Sequence, residues 1–318
     1  MLRRAVDAVL EASVVGSFTK IGYEARARMY DWQDLGALRM HGKTVVITGG
    51  NSGLGLVAAK ALARCGAAVR IVARDAGRGE NATAEISALG GERAQLYVAD
   101  LSSLADVRRV AWELADRESR LNVLVHNAGA LLPECRESVE GHEMTFATMV
   151  LGPFLLTSEL APMLRSTPGG ARVIWVASGG MYTQSFDVDA LEMGTGDYDG
   201  TKAYARAKRA QVVLSQEWAR RLRDDGVVVY AMHPGWADTP GLETGLPGFR
   251  ALLGPILRSP DQGADTIAWL AAAEEPGRVT GRFWLDRHPR STEKLVRSGA
   301  TPQERAKLWA LCERLTRA

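Results

Sequence analysis

The chain has 318 residues, 46% of them hydrophobic, which is enough for one large α/β domain with extensions. Its 39 basic and 37 acidic residues leave a net charge of +2, so there is no electrostatic basis for nucleic-acid binding. Three widely separated cysteines and five scattered histidines fit neither a disulfide framework nor a metal site. We therefore expect a cytoplasmic protein with no bound metal.

Residues 1–40 are predicted to form an N-terminal helical extension. Its apolar positions recur at helical spacing and are Leu2, Val6, Val9, Leu10 and Val14. This amphipathic face is expected either to pack against the body or a partner subunit, or to dock on a membrane surface through residues 1–20. In the second case, anionic lipid would meet Arg3, Arg4 and Lys20. No uncharged apolar run reaches the roughly 18 residues of a membrane-spanning helix.

From Lys43 onward, short apolar runs alternate with longer amphipathic ones, which is typical of a parallel sheet covered by helices on both faces. The predicted strands are Thr44 to Thr48, Ala68 to Ala73, Gln95 to Ala99, Val123 to His126, Arg172 to Ala177, Val227 to Met232 and Arg282 to Leu285. The predicted helices are Leu54 to Cys65, Arg78 to Leu89, Leu104 to Arg117, Gly141 to Leu164, Thr201 to Arg223 and Asp261 to Ala273. Residues 41–290 should thus form a three-layer, doubly wound α/β domain with a seven-stranded parallel sheet, and residues 291–318 a C-terminal helical tail.

The sequence TGGNSGLG, residues 48–55, lies directly between the first predicted strand and an alanine-rich helix. Glycines let the backbone approach a pyrophosphate, and the N–H groups at a helix N-terminus can hold it. The alternative is a tight strand–helix turn without a ligand. In this context the loop favours a dinucleotide site.

Arg74 follows the second predicted strand, where a carboxylate would be expected to bind the ribose hydroxyls of NAD. An arginine could instead pair with a 2′-phosphate, so NADP is favoured over NAD. The alternative is a solvated loop arginine.

Tyr204 and Lys208 are four residues apart in a predicted helix and therefore share one face. At roughly 4 Å, an ammonium would favour the phenolate by up to about 4 kcal/mol, or about three pKa units. A tyrosine with so low a pKa can exchange a proton with a carbonyl or an alcohol near neutral pH. By itself this spacing is a weak signal, because an ordinary helix surface produces it more often.

Taken together, TGGNSGLG, Asp100, HNAG at 126–129, Ser178, YARAK at 204–208 and HPGWADT at 233–239 resemble the short-chain dehydrogenase/reductase superfamily in order and spacing. The resemblance covers roughly residues 42–286 and implies a Rossmann-like fold. It also implies that Ser178 hydrogen-bonds the substrate oxygen, that Tyr204 exchanges the proton, and that Lys208 binds the nicotinamide ribose and lowers the tyrosine pKa.

The same resemblance implies a contact between Asp100 and adenine, bracing of the sheet by residues 127–129, and a contact between Thr239 and the nicotinamide carboxamide. The full set of expected cofactor-binding residues is Gly49, Asn51, Ser52, Gly53, Leu54, Gly55, Arg74, Asp100, Leu101, Asn127, Ala128, Gly129, Tyr204, Lys208, Pro234, Gly235 and Thr239.

Met149 departs from the pattern, because the superfamily usually has an asparagine there that holds a water joining the lysine to solvent. Pro153 lacks the N–H that would bind the Met149 carbonyl within a helix. We expect this free carbonyl to hold the water instead. The alternatives are a proline simply tolerated in a packing helix, and a catalytically weak or silent cofactor-binding protein.

Two segments are candidates for contact with the substrate. An insertion between Ser178 and Tyr204 contains Asp187, Asp189 and Glu192 and is expected beside the site. A substrate loop over about residues 236–258 has apolar positions at Leu242, Leu246, Phe249, Leu252, Leu253 and Ile256. These side chains are expected either to form an apolar pocket or to bury a subunit contact in a homo-oligomer. The sequence thus favours an NADP(H)-dependent oxidoreductase that interconverts a carbonyl and a secondary alcohol on an apolar substrate; the alternative is a silent sensor or scaffold.

Overall fold

A computed structural model describes residues 2–245, 247–294 and 299–317. The described chain contains eight strands in one sheet, in the order β3-β2-β1-β4-β5-β6-β7-β8. The strands are β1 Thr44–Thr48, β2 Ala68–Ala73, β3 Gln95–Val98, β4 Val123–His126, β5 Ala171–Val176, β6 Val227–Met232, β7 Phe283–Leu285 and β8 His288–Arg290. The order reverses between β1 and β4, and this reversal makes the sheet doubly wound.

The sheet confirms the predicted fold class but has one more strand than predicted. Strands β1 to β7 are parallel, and β8 pairs antiparallel with β7. β8 follows a two-residue turn at Asp286 and Arg287, whose φ angles are 54° and 56°. Positive φ at both turn positions is typical of a tight hairpin, but the sequence Asp-Arg gives no glycine signal for it.

Helices cover both faces of the sheet. They are α1 Leu2–Ala12, α2 Val14–Phe18, α3 Lys20–Tyr30, α4 Gly53–Arg64, α5 Ala76–Ser87, α6 Leu104–Arg117, α7 Met144–Phe146, α8 Gly152–Ser166, α9 Gly200–Arg221, α10 Pro240–Gly245, α11 Pro247–Leu253, α12 Pro260–Ala272 and α13 Pro302–Arg317. Side chains of α4, α5 and α12 form the core on one face, and side chains of α6, α8, α9 and α13 form it on the other. Strands β1, β2 and β4 are valine-rich and buried on both faces, as expected for a parallel sheet.

A π-helical turn at Ala147–Leu151 joins α7 to α8, so residues Met144–Ser166 form one continuous helix. By length and composition this helix could cross a membrane, but most of it is buried in the core beside α6 and α9. It therefore acts as a core helix here.

Helices α1 to α3 pack against the body as a single N-terminal unit, residues 2–30. Arg26, which is fully buried, donates to Asp7 and to Asp286, each at 2.7 Å. Asp286 also accepts from Arg258 at 2.6 Å, and Arg290 donates to Asp7 at 2.6 Å. These buried ion pairs fix the unit to the β7–β8 hairpin.

Candidate active site

Ser178, Tyr204 and Lys208 meet where β5 ends beside α9. Ser178 Oγ accepts a hydrogen bond from Gly180 N at 3.3 Å, which orders the turn after β5. The Ser178 hydroxyl also acts on Tyr204, because it lowers the pKa of that phenol. On α9, Lys208 Nζ lies 5.6 Å from the centre of the Tyr204 ring. The structure thus brings the three predicted catalytic residues together.

Burial controls the pKa values of this pair. Lys208 is buried and donates from Nζ to Val176 O at 2.7 Å, and its desolvation lowers its pKa to about 7. Desolvation raises the pKa of Tyr204, and the Ser178 hydroxyl offsets only part of that rise. The expected lowering of the Tyr204 pKa is therefore wrong for this structure. The physical reason is that burial withdraws the phenol from water and so disfavours the charged phenolate.

Met149 lies near Gly129, on the side of the site that holds Lys208. A Cβ atom placed on Gly129 would be 2.9 Å from Met149 Sδ and 3.5 Å from Lys208 Nζ. The thioether therefore lines the space next to the lysine, where it offers only a weak acceptor. Gly129, which follows β4, belongs to the same site.

The Met149 carbonyl oxygen accepts a hydrogen bond from another side chain. In the π-helical turn Gly152 N donates to Ala147 O, and Pro153 has no N–H to offer Met149. Gln211 on α9 donates from Nε2 to that oxygen at 2.8 Å. Pro153 thus withholds the α-helical donor from this carbonyl. However, the Met149 carbonyl oxygen already accepts a hydrogen bond from the Gln211 amide. It is therefore not the open acceptor for water that the sequence led us to expect.

Gln211 itself was missed by sequence reasoning. It lies three residues after Lys208 on the same helix, and its side chain is fully buried. Its Oε1 has no hydrogen-bond partner in the described chain. The only available signal was its spacing, since a glutamine at i+3 from a functional lysine shares that lysine's face.

The glycine-rich loop is braced by Asn127, which follows β4. Asn127 Nδ2 donates to Thr48 O at 3.0 Å and to Gly49 O at 3.2 Å, while Ala128 N donates to Thr48 Oγ1. A Cβ atom on Gly55 would be 2.4 Å from Asn127 Nδ2, so no larger residue fits there. This agrees with the bracing role that the resemblance implies for residues 127–129.

The same loop leads into the N-terminus of α4, which begins at Gly53. Asn51 is half-buried, Ser52 is exposed, and Leu54 packs towards Gly263 of α12. A Cβ atom on Gly53 would lie 3.9 Å from Thr239 Cβ, so the loop after β6 comes close to the glycine loop. The two predicted cofactor-binding segments therefore adjoin.

Arg74 and Asp100, at the ends of β2 and β3, form an ion pair of 3.6 Å. Asp100 also accepts hydrogen bonds from Ser102 N and Ser102 Oγ. Leu101 is buried in the core, and its carbonyl lies close to Gly152. A nucleotide at Arg74 would compete with an exposed pair, which contributes at most about 1 kcal/mol.

The segment after β6 is tightly held. Pro234 O accepts from Arg258 Nη1 at 3.1 Å, and Gly235 N donates to His233 Nδ1 at 3.1 Å. Thr239 caps α10 by accepting from Leu242 N at 3.3 Å. Thr239 is therefore a helix cap, and this role is compatible with contact to a bound nucleotide.

The backbone of Arg258 joins the two ends of the substrate loop by hydrogen bonds. Arg258 N donates to Trp236 O at 2.8 Å, and Asp238 N donates to Arg258 O at 2.9 Å. Within the loop, Arg250 pairs with Asp238 at 2.6 Å, and the Phe249 ring lies 4.9 Å from that of Trp236. Leu242, Leu253 and Ile256 are half-buried and Leu252 is exposed. Leu246 lies outside the described residues.

The insertion after Ser178 is attached to the body. Asp189 forms an ion pair with Lys307 of α13, and Glu192 accepts from Glu143 N at 2.9 Å. Asp187 caps its own turn by accepting from Asp189 N. Among the buried side chains of the insertion are Phe186, Val188, Leu191 and Met193.

Phe18, from the N-terminal unit, was also missed. Its ring stacks on Trp236 at 5.1 Å, and Trp236 N donates to Phe18 O at 2.7 Å. A Cβ atom on Gly179 would be 2.4 Å from Phe18 Cε1. The aromatic ring thus supports both the turn that carries Ser178 and the start of the substrate loop. No local pattern joins residue 18 to residue 179.

Known proteins resemble this chain in sequence and fold. The family model for short chain dehydrogenase matches residues 43–245. Dehydrogenase/reductase SDR family member 12 of Bos taurus is 39% identical over 94% of each chain. Retinol dehydrogenase 13 of Homo sapiens is 35% identical over 76% of each chain. The solved Pseudomonas aeruginosa RhlG/NADP active-site complex is 29% identical, covers 77% of this chain and 94% of its own, and has a TM-score of 0.64. The chain belongs to the short-chain dehydrogenase family.

Proposed function

We propose that this protein is an NADP(H)-dependent oxidoreductase that interconverts a carbonyl and a secondary alcohol on an apolar substrate. The observation that carries the proposal is the group of Ser178, Tyr204 and Lys208 at the end of β5, beside the loop braced by Asn127. Family membership supports oxidoreductase chemistry in general. The cofactor preference and the substrate class are the finer parts of the proposal.

The residues of the glycine loop fit a dinucleotide. Gly49, which has φ 65°, and the N-terminus of α4 give the loop a backbone that can approach phosphate, next to Thr239. Arg74, whose side chain is 71% exposed, is available to a 2′-phosphate once its pair with Asp100 opens. The NADP in the solved RhlG complex supports this choice of cofactor.

The protein's own groups would move the proton. When bound, the nicotinamide supplies or accepts the hydride at the substrate carbon. In the reducing direction, Tyr204 donates its proton to the substrate oxygen while Ser178 hydrogen-bonds that oxygen. While it is protonated, Lys208 would stabilise the phenolate left behind, and the Val176 carbonyl holds its ammonium group in place. In the oxidising direction the same groups take up the proton.

An apolar substrate is supported by the side chains around the site. Met149 lies beside Lys208, Trp236 and Phe249 pack edge to face, and a Cβ atom on Gly245 would be 3.2 Å from Leu131 Cβ. These groups offer few hydrogen-bond partners for a polar substrate. The name of the relative retinol dehydrogenase 13 is consistent with this class.

The second candidate is a cofactor-binding protein with little turnover. Met149 favours it, since its thioether lies next to Gly129, as Lys208 Nζ does, and cannot replace an amide. Met149→Asn distinguishes the two functions. A large gain in turnover with unchanged NADPH affinity would support the silent candidate, and no gain would support an active wild-type enzyme.

The proposal is tested by titrating the protein with NADPH and NADH, and then following single-turnover oxidation of bound NADPH by a panel of apolar ketones and aldehydes. We expect tighter binding of NADPH, and oxidation that falls by at least about a hundredfold in Tyr204→Phe. Arg74→Ala should weaken NADPH binding and leave NADH binding unchanged. Absence of binding by either nucleotide would refute both candidate functions.

A further inference from the structure

The N-terminal unit has its apolar residues on the outside. Six of the eleven large hydrophobic side chains that are exposed in the described chain belong to this short stretch: Leu2, Val6, Val9, Val14, Val15 and Ile21. Leu2 and Val9 are 79% and 71% exposed. A surface helix of a globular protein normally turns such residues towards the core.

The acidic face of α1 is turned inwards instead. Asp7 is buried between Arg26 and Arg290, and Glu11 pairs with Lys294 at 2.8 Å. The ion pairs hold α1 in this orientation, because rotating the helix to bury Val9 would break them. The exposure of the apolar face is therefore built into the fold.

Basic residues accompany this apolar face. Arg3 and Arg4 are exposed, and Lys20 is half-buried. Within the part of the chain that the structure describes, none of the three forms an ion pair. Asp7 and Glu11 are neutralised by internal partners, so the outer surface of α1 and α2 is apolar with a positive charge.

We propose that the outer face of the N-terminal unit, residues 2–21, docks on an anionic lipid bilayer. Aliphatic side chains on one helix face enter the boundary between headgroups and acyl chains, and flanking arginines and lysines bind acidic headgroups. A second copy of this chain would bring the same basic residues together, so the charge disfavours self-association. This surface is independent of the proposed redox chemistry.

The test is flotation of the full chain with vesicles of phosphatidylcholine alone and of phosphatidylcholine with phosphatidylserine. We expect the protein to float with the anionic vesicles and to be released by salt, which shortens the screening length. Val9→Asp should weaken vesicle binding by on the order of tenfold or more. The matched control is Val139→Asp, at a side chain that is 84% exposed on the main domain, and it should bind like wild type.

A second variant tests the charge. Arg3→Ala combined with Arg4→Ala should weaken binding to anionic vesicles by about fivefold for each arginine removed. Circular dichroism of the same samples shows that each variant is folded, so failure of the docking proposal stays separate from failure of the redox proposal.

Three results would overturn the proposal: no flotation of wild type with either vesicle, equal flotation of wild type and Val9→Asp, or equal binding to neutral and anionic vesicles. Sedimentation adds a fourth. A wild-type dimer that Val9→Asp converts to a monomer, without vesicle binding, would assign the face to a second copy.

Discussion

Lys208 gives the folded chain a stability that depends on pH. Its pKa is about 7 when folded, against an ordinary value of 10.5, so between these values the unfolded chain binds the extra proton. Stability must therefore rise with pH across this window, by up to about 1.4 kcal/mol per pH unit. We expect the difference in unfolding free energy between wild type and Lys208→Met to grow in favour of wild type from about pH 7 to 10. Urea denaturation at several pH values measures it.

A difference that did not change with pH would show that Lys208 keeps its proton in the folded state. The exposed Lys202 offers a control on the same helix, since Lys202→Met should leave the pH dependence of wild type unchanged.

Gln211 should contribute to stability through the Met149 carbonyl. Gln211→Met keeps the side-chain length but leaves that buried oxygen without a donor, which costs about 1–3 kcal/mol. Removal of the unpaired Oε1 offsets part of this, so we expect a net loss of about 1 kcal/mol. Chemical denaturation measures the loss, and Gln184→Met, at a hydrogen bond exposed to solvent, should change stability by less than about 0.5 kcal/mol.

At the scale of residues, the sequence predicted Ser178, Tyr204, Lys208 and the glycine loop, because each lies within a recognisable local pattern. It did not predict the direction of the Tyr204 pKa or the partner of the Met149 carbonyl. Both depend on how deeply α9 is buried against the π-helical turn. Burial of this kind is a tertiary property that spacing along the chain does not contain.

Among the elements, α2 packs between the turn that follows Ser178 and the start of the substrate loop. Phe18→Ala would leave a cavity beside Gly179 and Trp236, at a cost of about 3–5 kcal/mol. Because Phe18 touches neither Gly49 nor Arg74, we expect turnover to fall while NADPH affinity stays within about threefold. Thermal unfolding tests the loss of stability, cofactor titration tests the NADPH affinity, and single-turnover kinetics test the turnover.

Trp112 on α6 is the matched control, since its side chain is 77% exposed. Trp112→Ala should leave both stability and turnover close to wild type. If Phe18→Ala lost stability without any loss of turnover, the ring would support the fold and not the position of Ser178.

Strands were easier to predict than the turns between them. The bounds of β1, β2, β4 and β6 agree with the prediction, because each is a valine-rich run buried on both faces. β8 was missed, since it has three residues, includes Pro289 and follows a turn without glycine. The π-helical turn at Ala147–Leu151 has no sequence signature of its own.

For the molecule as a whole, Asp286 joins the N-terminal unit to the substrate loop through Arg26 and Arg258. All three side chains are buried. Asp286→Asn keeps the shape and the positive φ but leaves two buried guanidinium groups short of a counter-charge, which should cost about 3–5 kcal/mol. Unfolding by denaturant measures this loss of stability.

Asp225→Asn is the control for charge removal alone, because Asp225 pairs with Arg165 at the surface and the pair contributes at most about 1 kcal/mol. Equal effects of the two substitutions would mean that the N-terminal unit is held by apolar contacts and not by its ion pairs.

The hairpin of β7 and β8 also limits how copies of this chain can assemble. β8 already occupies the hydrogen-bonding edge of β7, and it presents to solvent only three residues, one of which is a proline without an N–H. A neighbouring subunit therefore cannot lengthen the sheet through β7. If copies of this chain associate across that side of the molecule, side chains must join the subunits. Point substitutions that leave the sheet intact will then change the affinity between the subunits.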